Sequence, residues 1–172
     1  MSQRPAATEY APYQARYVDL VPEEDIIPAL EKQGKETAAM LRSISEEKAG
    51  FRYAPDKWTV KQVVGHFTDA ERIFGYRALA IARGEKKSLP GFEEKDYAVA
   101  GDFNRRSMRD LADEYEAARH STILLYRGLS PEAWTRKGTA NESPITVKGQ
   151  AYVALGHERH HLRVLRERYG VK

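Results

Sequence analysis

The chain has no cysteine. Disulfides, thiolate metal ligands and a cysteine nucleophile are therefore excluded, and any metal site must draw on His, Asp, Glu or water. No stretch approaches the roughly 20 apolar residues of a membrane-spanning helix, so no membrane partner is expected. The charge imbalance is small: 28 Lys and Arg stand against 25 Asp and Glu, for a net charge of +3. The two signs are interleaved without a basic stripe, which argues against a nucleic-acid partner. No internal repeat, low-complexity tract or alternating strand pattern of any length stands out, so no β architecture is expected. The opening Met1-Ser2-Gln3-Arg4-Pro5 lacks an apolar run; no secretory signal is expected, and the expected location is cytoplasmic.

What remains is a chain of 172 residues with 41% hydrophobic and 31% charged residues, enough for one domain of helices with a solvated outer face. Residues 1–20, with Pro5, Pro12 and the tyrosines Tyr10, Tyr13 and Tyr17, read as an arm without regular structure. Residues 21–172 read as a four-helix bundle. The first helix spans about Ile26 to Ile44, with Pro28 in its first turn, where a missing N–H costs little. The second begins after Thr59, a good N-cap, and fades at Arg83-Gly84. Its inner stripe is Val63, His66, Phe67, Ala70, Ile73, Phe74 and Arg77. Residues 84–106 form a long connection, of the kind that is usually functional or crosses a bundle from end to end. The third helix opens at Ser107, and the fourth runs from about Thr146 to Tyr169. Val147, Ala151, Ala154, His157, His161, Val164 and Leu165 share one face of the fourth helix.

The histidines carry the chemistry. Neutral imidazole suits zinc, nickel, copper and iron. His157 and His161, one turn apart, point the same way and can share one ion, with His66 as a third ligand from another helix. A lone histidine at 66 would ordinarily be a satisfied core residue. Two imidazoles facing a core from adjacent turns need partners, and a metal satisfies both. His160 is offset to the rim and could stand in for His161; His120 lies on the polar face of the third helix. The string His157-Glu158-Arg159-His160-His161 matches the zinc protease pattern H-E-x-x-H. Such proteases draw a further ligand from downstream, and only 11 residues follow His161, so protease activity is not expected. Glu158 is a candidate base if it leans toward the ion; otherwise it is a flank charge paired with an arginine. Arg77 could hold an anionic substrate group or form a salt bridge at the bundle end. Asn141, Arg119 and Tyr97 are candidates for polar groups near a pocket, though a loop cap, a surface charge and a packing ring are the preferred readings.

Two blocks together resemble the DinB-like superfamily, in the branch with YfiT-type metal-dependent hydrolases and bacillithiol transferases. They are Lys57-Trp58-Thr59-Val60-Lys61-Gln62-Val63-Val64-Gly65-His66 with Asp69-Ala70-Glu71-Arg72, and Gly156-His157-Glu158-Arg159-His160-His161. Leu89-Pro90-Gly91-Phe92 and Gly138-Thr139-Ala140-Asn141 also look like family segments, and the resemblance covers about residues 25–170. It implies an all-α four-helix bundle in up-down-down-up order, often a homodimer. It also implies a metal triad at His66, His157 and His161 holding one divalent transition metal, foremost zinc or nickel, with iron or manganese as alternatives. Characterised relatives transfer or rearrange low-molecular-weight thiols such as bacillithiol and mycothiol. The expectation is an enzyme that activates such a thiol, or water, against a small electrophile as an S-transferase or hydrolase. The alternatives are a non-catalytic metal-binding or stress-associated bundle and, third, an interaction module using the tyrosine arm.

Overall fold

Each of the four long helices starts at a side-chain cap. A computed structural model describes residues 4–172; Met1, Ser2 and Gln3, part of the expected arm, lie outside the described residues. In chain order the helices are α1 (Ala15–Val18), α2 (Ile26–Ser43), α3 (Glu46–Ala49), α4 (Val60–Ala82), α5 (Glu94–Ala100), α6 (Met108–Arg127), α7 (Pro131–Thr135) and α8 (Val147–Tyr169). Side-chain oxygens of Asp25, Thr59, Ser107 and Thr146 accept backbone N–H groups in the first turns of α2, α4, α6 and α8, each cap stabilising by about 1 kcal/mol. Thr59 forms a full capping box with Gln62. At the far end, α8 stops at Gly170, whose φ of 64° closes the helix in the left-handed region.

Side-chain pairs fix the direction of each helix. Phe67 meets Tyr115, and one turn on Glu71 meets Arg119, so α4 and α6 run parallel. Arg42 pairs with Asp113 while Glu31 pairs with Arg127, so α2 and α6 run antiparallel. His66 lies by His161 and Phe74 by His157, so α4 opposes α8. Gln33 reaches Leu155 and Thr37 reaches Glu158, so α2 and α8 run together. The order is up-down-down-up, with residues 83–107 crossing between the parallel α4 and α6.

Two apolar clusters fill the bundle. Ile26, Leu30, Phe74, Ile81, Tyr126 and Leu155 belong to one, and Leu41, Val64, Phe67, Leu111, Tyr115 and Leu165 to the other. Between them lies a buried polar layer: Gln33 and Thr37 on α2, His66 and Glu71 on α4, Arg119 on α6, His157 and Glu158 on α8.

Beyond the short helices α5 and α7 inside stretches read as connections, two segments depart from the sequence reading. Where an arm without regular structure was expected, 3-10 turns at Ala7–Glu9 and Pro12–Gln14 lead into α1. Each turn is closed locally, Glu9 accepting from Ala6 N at 2.7 Å and Gln14 from Ala11 N at 2.9 Å, and each is too short to leave a periodic signal. The segment packs against α8 so closely that a Cβ at Gly156 would come within 2.0 Å of the Tyr17 carbonyl oxygen. Tyr10 and Tyr17 pack against the core, whereas Tyr13 is exposed. A β-hairpin that was not expected joins β1 (Lys137–Ala140) to β2 (Ser143–Thr146) through Asn141 and Glu142, both at positive φ. Four-residue strands, one containing Pro144, carry too little alternation to be read. Leu89 in the crossover bridges to Ala140, tying the crossover to the hairpin.

Candidate metal centre

α4 and α8 bring His66, His157 and His161 together because both helices turn the same stripe inward. Their Nε2 atoms stand 3.3 Å (His66–His157), 3.2 Å (His66–His161) and 3.1 Å (His157–His161) apart. Nitrogens held 2.0–2.1 Å from a tetrahedral ion would lie roughly 3.3–3.4 Å from one another, so the triangle is close to the size such an ion needs. No other group of three or more His, Asp or Glu converges in this way among the described residues.

The electrostatics favour the same use. Burial drives the His66 pKa down to about 4. It drives His161 down to about 3, with His66 and His160 adding to the effect. His157 is pushed well below its ordinary value by burial first and by His161 next. All three are neutral at neutral pH, the form that donates a lone pair. His66 Nδ1 is buried without a hydrogen-bond partner, so nothing within the protein fixes its tautomer. Which of the three nitrogens donates depends on the tautomers, and one N–H cannot satisfy three facing imidazoles at once, whereas a single cation can.

Rings enclose the triad. Trp58 lies 5.0 Å from His66, and Tyr17 and Phe74 each present to His157 at 5.3 Å. On the open side, His161 lines a cavity of about 720 Å³ together with Trp58, Lys95, Val99, His160 and Tyr169. His160 thus sits on the rim, its ring 5.2 Å from His161, and burial lowers its pKa.

Sequence reasoning missed Glu94. Its Oε2 stands 3.9 Å from His66 Nε2, on a side chain that is 59% exposed, delivered by the first turn of α5. Its charge also helps raise the Tyr17 pKa, after burial. The available signal was the length of the crossover, which holds the run Glu93-Glu94-Lys95-Asp96.

The other expected residues fall elsewhere. Glu158 is buried, and its carboxylate accepts from Thr37 Oγ1 at 2.6 Å, Tyr115 OH at 2.7 Å and Arg119 NH2 at 2.5 Å. It does not join the histidine group. It does not lean toward the triad; it is paired with an arginine, as the flank reading has it, but in the interior, as a buried hub between α2 and α6. Arg119 is not a surface charge: it is 2% exposed and also pairs with Glu71 at 2.9 Å. Room for it comes from Gly34, where a Cβ would come within 2.8 Å of Arg119 Cγ. Asn141 sits in the hairpin turn, its N–H donating to Leu89 O at 2.9 Å, away from the triad. Tyr97 packs its ring on Phe92 at 5.2 Å. Arg77 is buried and donates to Pro90 O at 2.7 Å, with no carboxylate partner among the described residues. His120 is exposed on α6.

Residues 29–165 match the model of a family described as the DinB superfamily. The fold is similar to that of YfiT from Bacillus subtilis, described as a probable metal-dependent hydrolase with an unusual four-helix bundle topology. The TM-score is 0.71 at 16% identity, covering 97% of this chain and 100% of that one. It is also similar to a mycothiol-dependent maleylpyruvate isomerase, with a TM-score of 0.66 at 13% identity, covering 85% of this chain and 61% of the isomerase. No curated protein matches the sequence. No helix among the described residues is long and apolar enough to cross a membrane.

Proposed function

The chain belongs to the DinB superfamily, and from that premise we propose that it is a metal-dependent enzyme acting on a small electrophilic molecule. One observation carries the reading: three neutral imidazole nitrogens converge within 3.3 Å of one another at the edge of a cavity of about 720 Å³. His66, His157 and His161 would hold a divalent transition metal, zinc or nickel in the first place and iron or manganese otherwise. Such an ion supplies Lewis acidity and lowers the pKa of a coordinated water or low-molecular-weight thiol.

The protein's own groups do the rest. Three ligands from two helices leave the side facing the cavity open, as catalytic sites require and closed structural sites do not. Glu94 Oε2, beside that opening, accepts the proton that the nucleophile releases. Trp58 and Val99 wall the approach, and His160 lies at the rim where a polar substrate group would pass. Both nucleophiles are kept because one similar structure is described as a hydrolase and the other as mycothiol-dependent. Glu158 takes no part in proton transfer in this scheme, because its carboxylate is committed to Thr37, Tyr115 and Arg119.

The test has two stages. Protein purified without nickel resin should contain a single divalent ion per chain by elemental analysis. His66→Ala, His157→Ala or His161→Ala should abolish it, and His120→Ala should leave it. Full metal in the triple variant would place the site elsewhere and sink the proposal. The loaded protein is then offered an electrophile with bacillithiol, mycothiol, glutathione or no thiol. Thiol-dependent consumption selects a transferase, and consumption without thiol selects a hydrolase. Bound metal without any turnover across an electrophile panel selects the non-catalytic bundle instead.

A further inference from the structure

Arg77 is the most poorly compensated charge in the bundle. It is 6% exposed, its Nε is buried with no hydrogen-bond partner, and no carboxylate pairs with it among the described residues. Its compensation amounts to the Pro90 carbonyl at 2.7 Å and the Phe74 ring at 5.9 Å. A guanidinium stays protonated even when buried, and a buried cation without a counter-charge is costly. Arg72, earlier on the same helix, is by contrast paired: its guanidinium meets Glu114 at 2.7 Å.

Arg77 also lines a cavity of about 280 Å³ between α4 and the crossover. The cavity's other walls are mostly apolar or aromatic, from Ile73, Tyr76, Leu89, Pro90, Phe92 and Tyr97, with Arg72 as a second cation at the edge, already paired with Glu114. That volume falls just under the usual range of about 300–1,000 Å³ for ligand pockets, so the occupant must be small. Eleven residues separate His66 from Arg77 on α4, about 16 Å along the axis, so a ligand of that size does not bridge the two sites.

We propose that this cavity binds a small carboxylate with an apolar or aromatic body, its anionic group on Arg77 and its body against Phe92, Tyr76 and Ile73. The apolar walls lower the local polarity around Arg77, which strengthens the charge-assisted hydrogen bonds that a carboxylate forms with a guanidinium. The cavity would thus complete a charge that the fold leaves half-neutralised. This site does not depend on the metal reading.

Calorimetric titration of phenylacetate into the wild-type protein, treated with chelator in low-salt buffer free of other carboxylates, tests it. The neutral 2-phenylethanol serves as the matched probe. Phenylacetate should bind saturably and at least tenfold more tightly than the alcohol. Arg77→Met should weaken phenylacetate by roughly ten- to a hundredfold, the scale of a lost charged hydrogen bond, and leave the alcohol unchanged. Arg77→Lys, which keeps the charge, should retain part of the affinity, and it stands in if Arg77→Met does not fold. His161→Ala should not alter phenylacetate binding, which separates this site from a carboxylate on a triad-bound metal. Equal affinity for acid and alcohol, no saturable binding of the acid, or acid binding lost in His161→Ala would each overturn the proposal.

Discussion

Acidifying the metal-free protein should expose the triad through stability alone. Burial holds His66 at a pKa of about 4 and His161 at about 3, and pushes His157 well below its ordinary value. In the unfolded chain all three return to about 6.5. Below that pH the unfolded chain takes up protons that the folded chain refuses, so stability falls as pH falls. The loss deepens until the pH approaches 4 and then 3, where the folded imidazoles protonate as well. At pH 5.5 each imidazole that stays neutral only in the fold costs about RT ln(1 + 10), or ~1.4 kcal/mol. Three such groups give ~4 kcal/mol, a large share of the 5–15 kcal/mol that typically holds a domain together. Urea unfolding at pH 8 and 5.5 in the presence of chelator measures it. With an m-value of about 2 kcal/mol/M, the midpoint should fall by roughly 2 M more in the wild type than in a His66→Asn, His157→Asn, His161→Asn variant. Zinc at about 100 times its dissociation constant should stabilise the wild type at pH 8 by ~2.7 kcal/mol and leave the variant unchanged. Identical pH dependence in the two proteins would refute the reasoning, because it would mean that the imidazoles are solvated in the metal-free fold.

Two further perturbations separate the roles of Glu94 and Arg119. Glu94→Gln removes the proton acceptor and keeps the shape; it should lower kcat by about 10²–10⁴-fold while elemental analysis finds the metal content intact, and loss of the metal would recast Glu94 as a ligand. Arg119→Met strands the buried carboxylates of Glu71 and Glu158 and should cost about 3–5 kcal/mol in urea unfolding. Adding Glu71→Gln and Glu158→Gln to it should recover part of that loss, and no recovery would argue against a charge origin.

The long helices were legible because each has a cap and a sustained period. Thr59 and Ser107 mark their helix starts as expected, and the fourth helix begins within a residue of where its stripe begins. Short elements were not legible. The turns at 7–18, the hairpin at 137–146 and α5 are all too brief to establish a period, and their conformations are set by what they pack against. The close contact of Tyr17 O on Gly156 is a tertiary fact with no local signature beyond the glycine itself. Crossing direction was partly legible: a connection as long as 84–106 suits parallel neighbours, and α4 and α6 are parallel.

Helix phase explains both why the three histidines meet and why Glu158 does not join them. At about 100° per residue, His157 and His161 differ by about 40°, so one ion can face both, and the same stripe on α4 supplies His66. Glu158 is turned about 100° from His157, away from the triad. On a helix with one buried face that direction leads toward solvent, which is why the alternative to a base was a flank charge paired with an arginine. The first half of α8 is buried on nearly every side, from Gly149 to Glu158, so the same turn leads instead to Thr37, Tyr115 and Arg119. The H-E-x-x-H spacing is therefore shared with zinc proteases, but the glutamate's surroundings are different: it ties α8 to α2 and α6 one residue from His157. The acidic group beside the opening comes from another direction altogether, on the crossover, where no period on α8 could have announced it. A histidine pair on a long helix can be found by counting; a carboxylate near the triad depends on the path of a loop, and only the folded chain brings Glu94 to within 3.9 Å of His66.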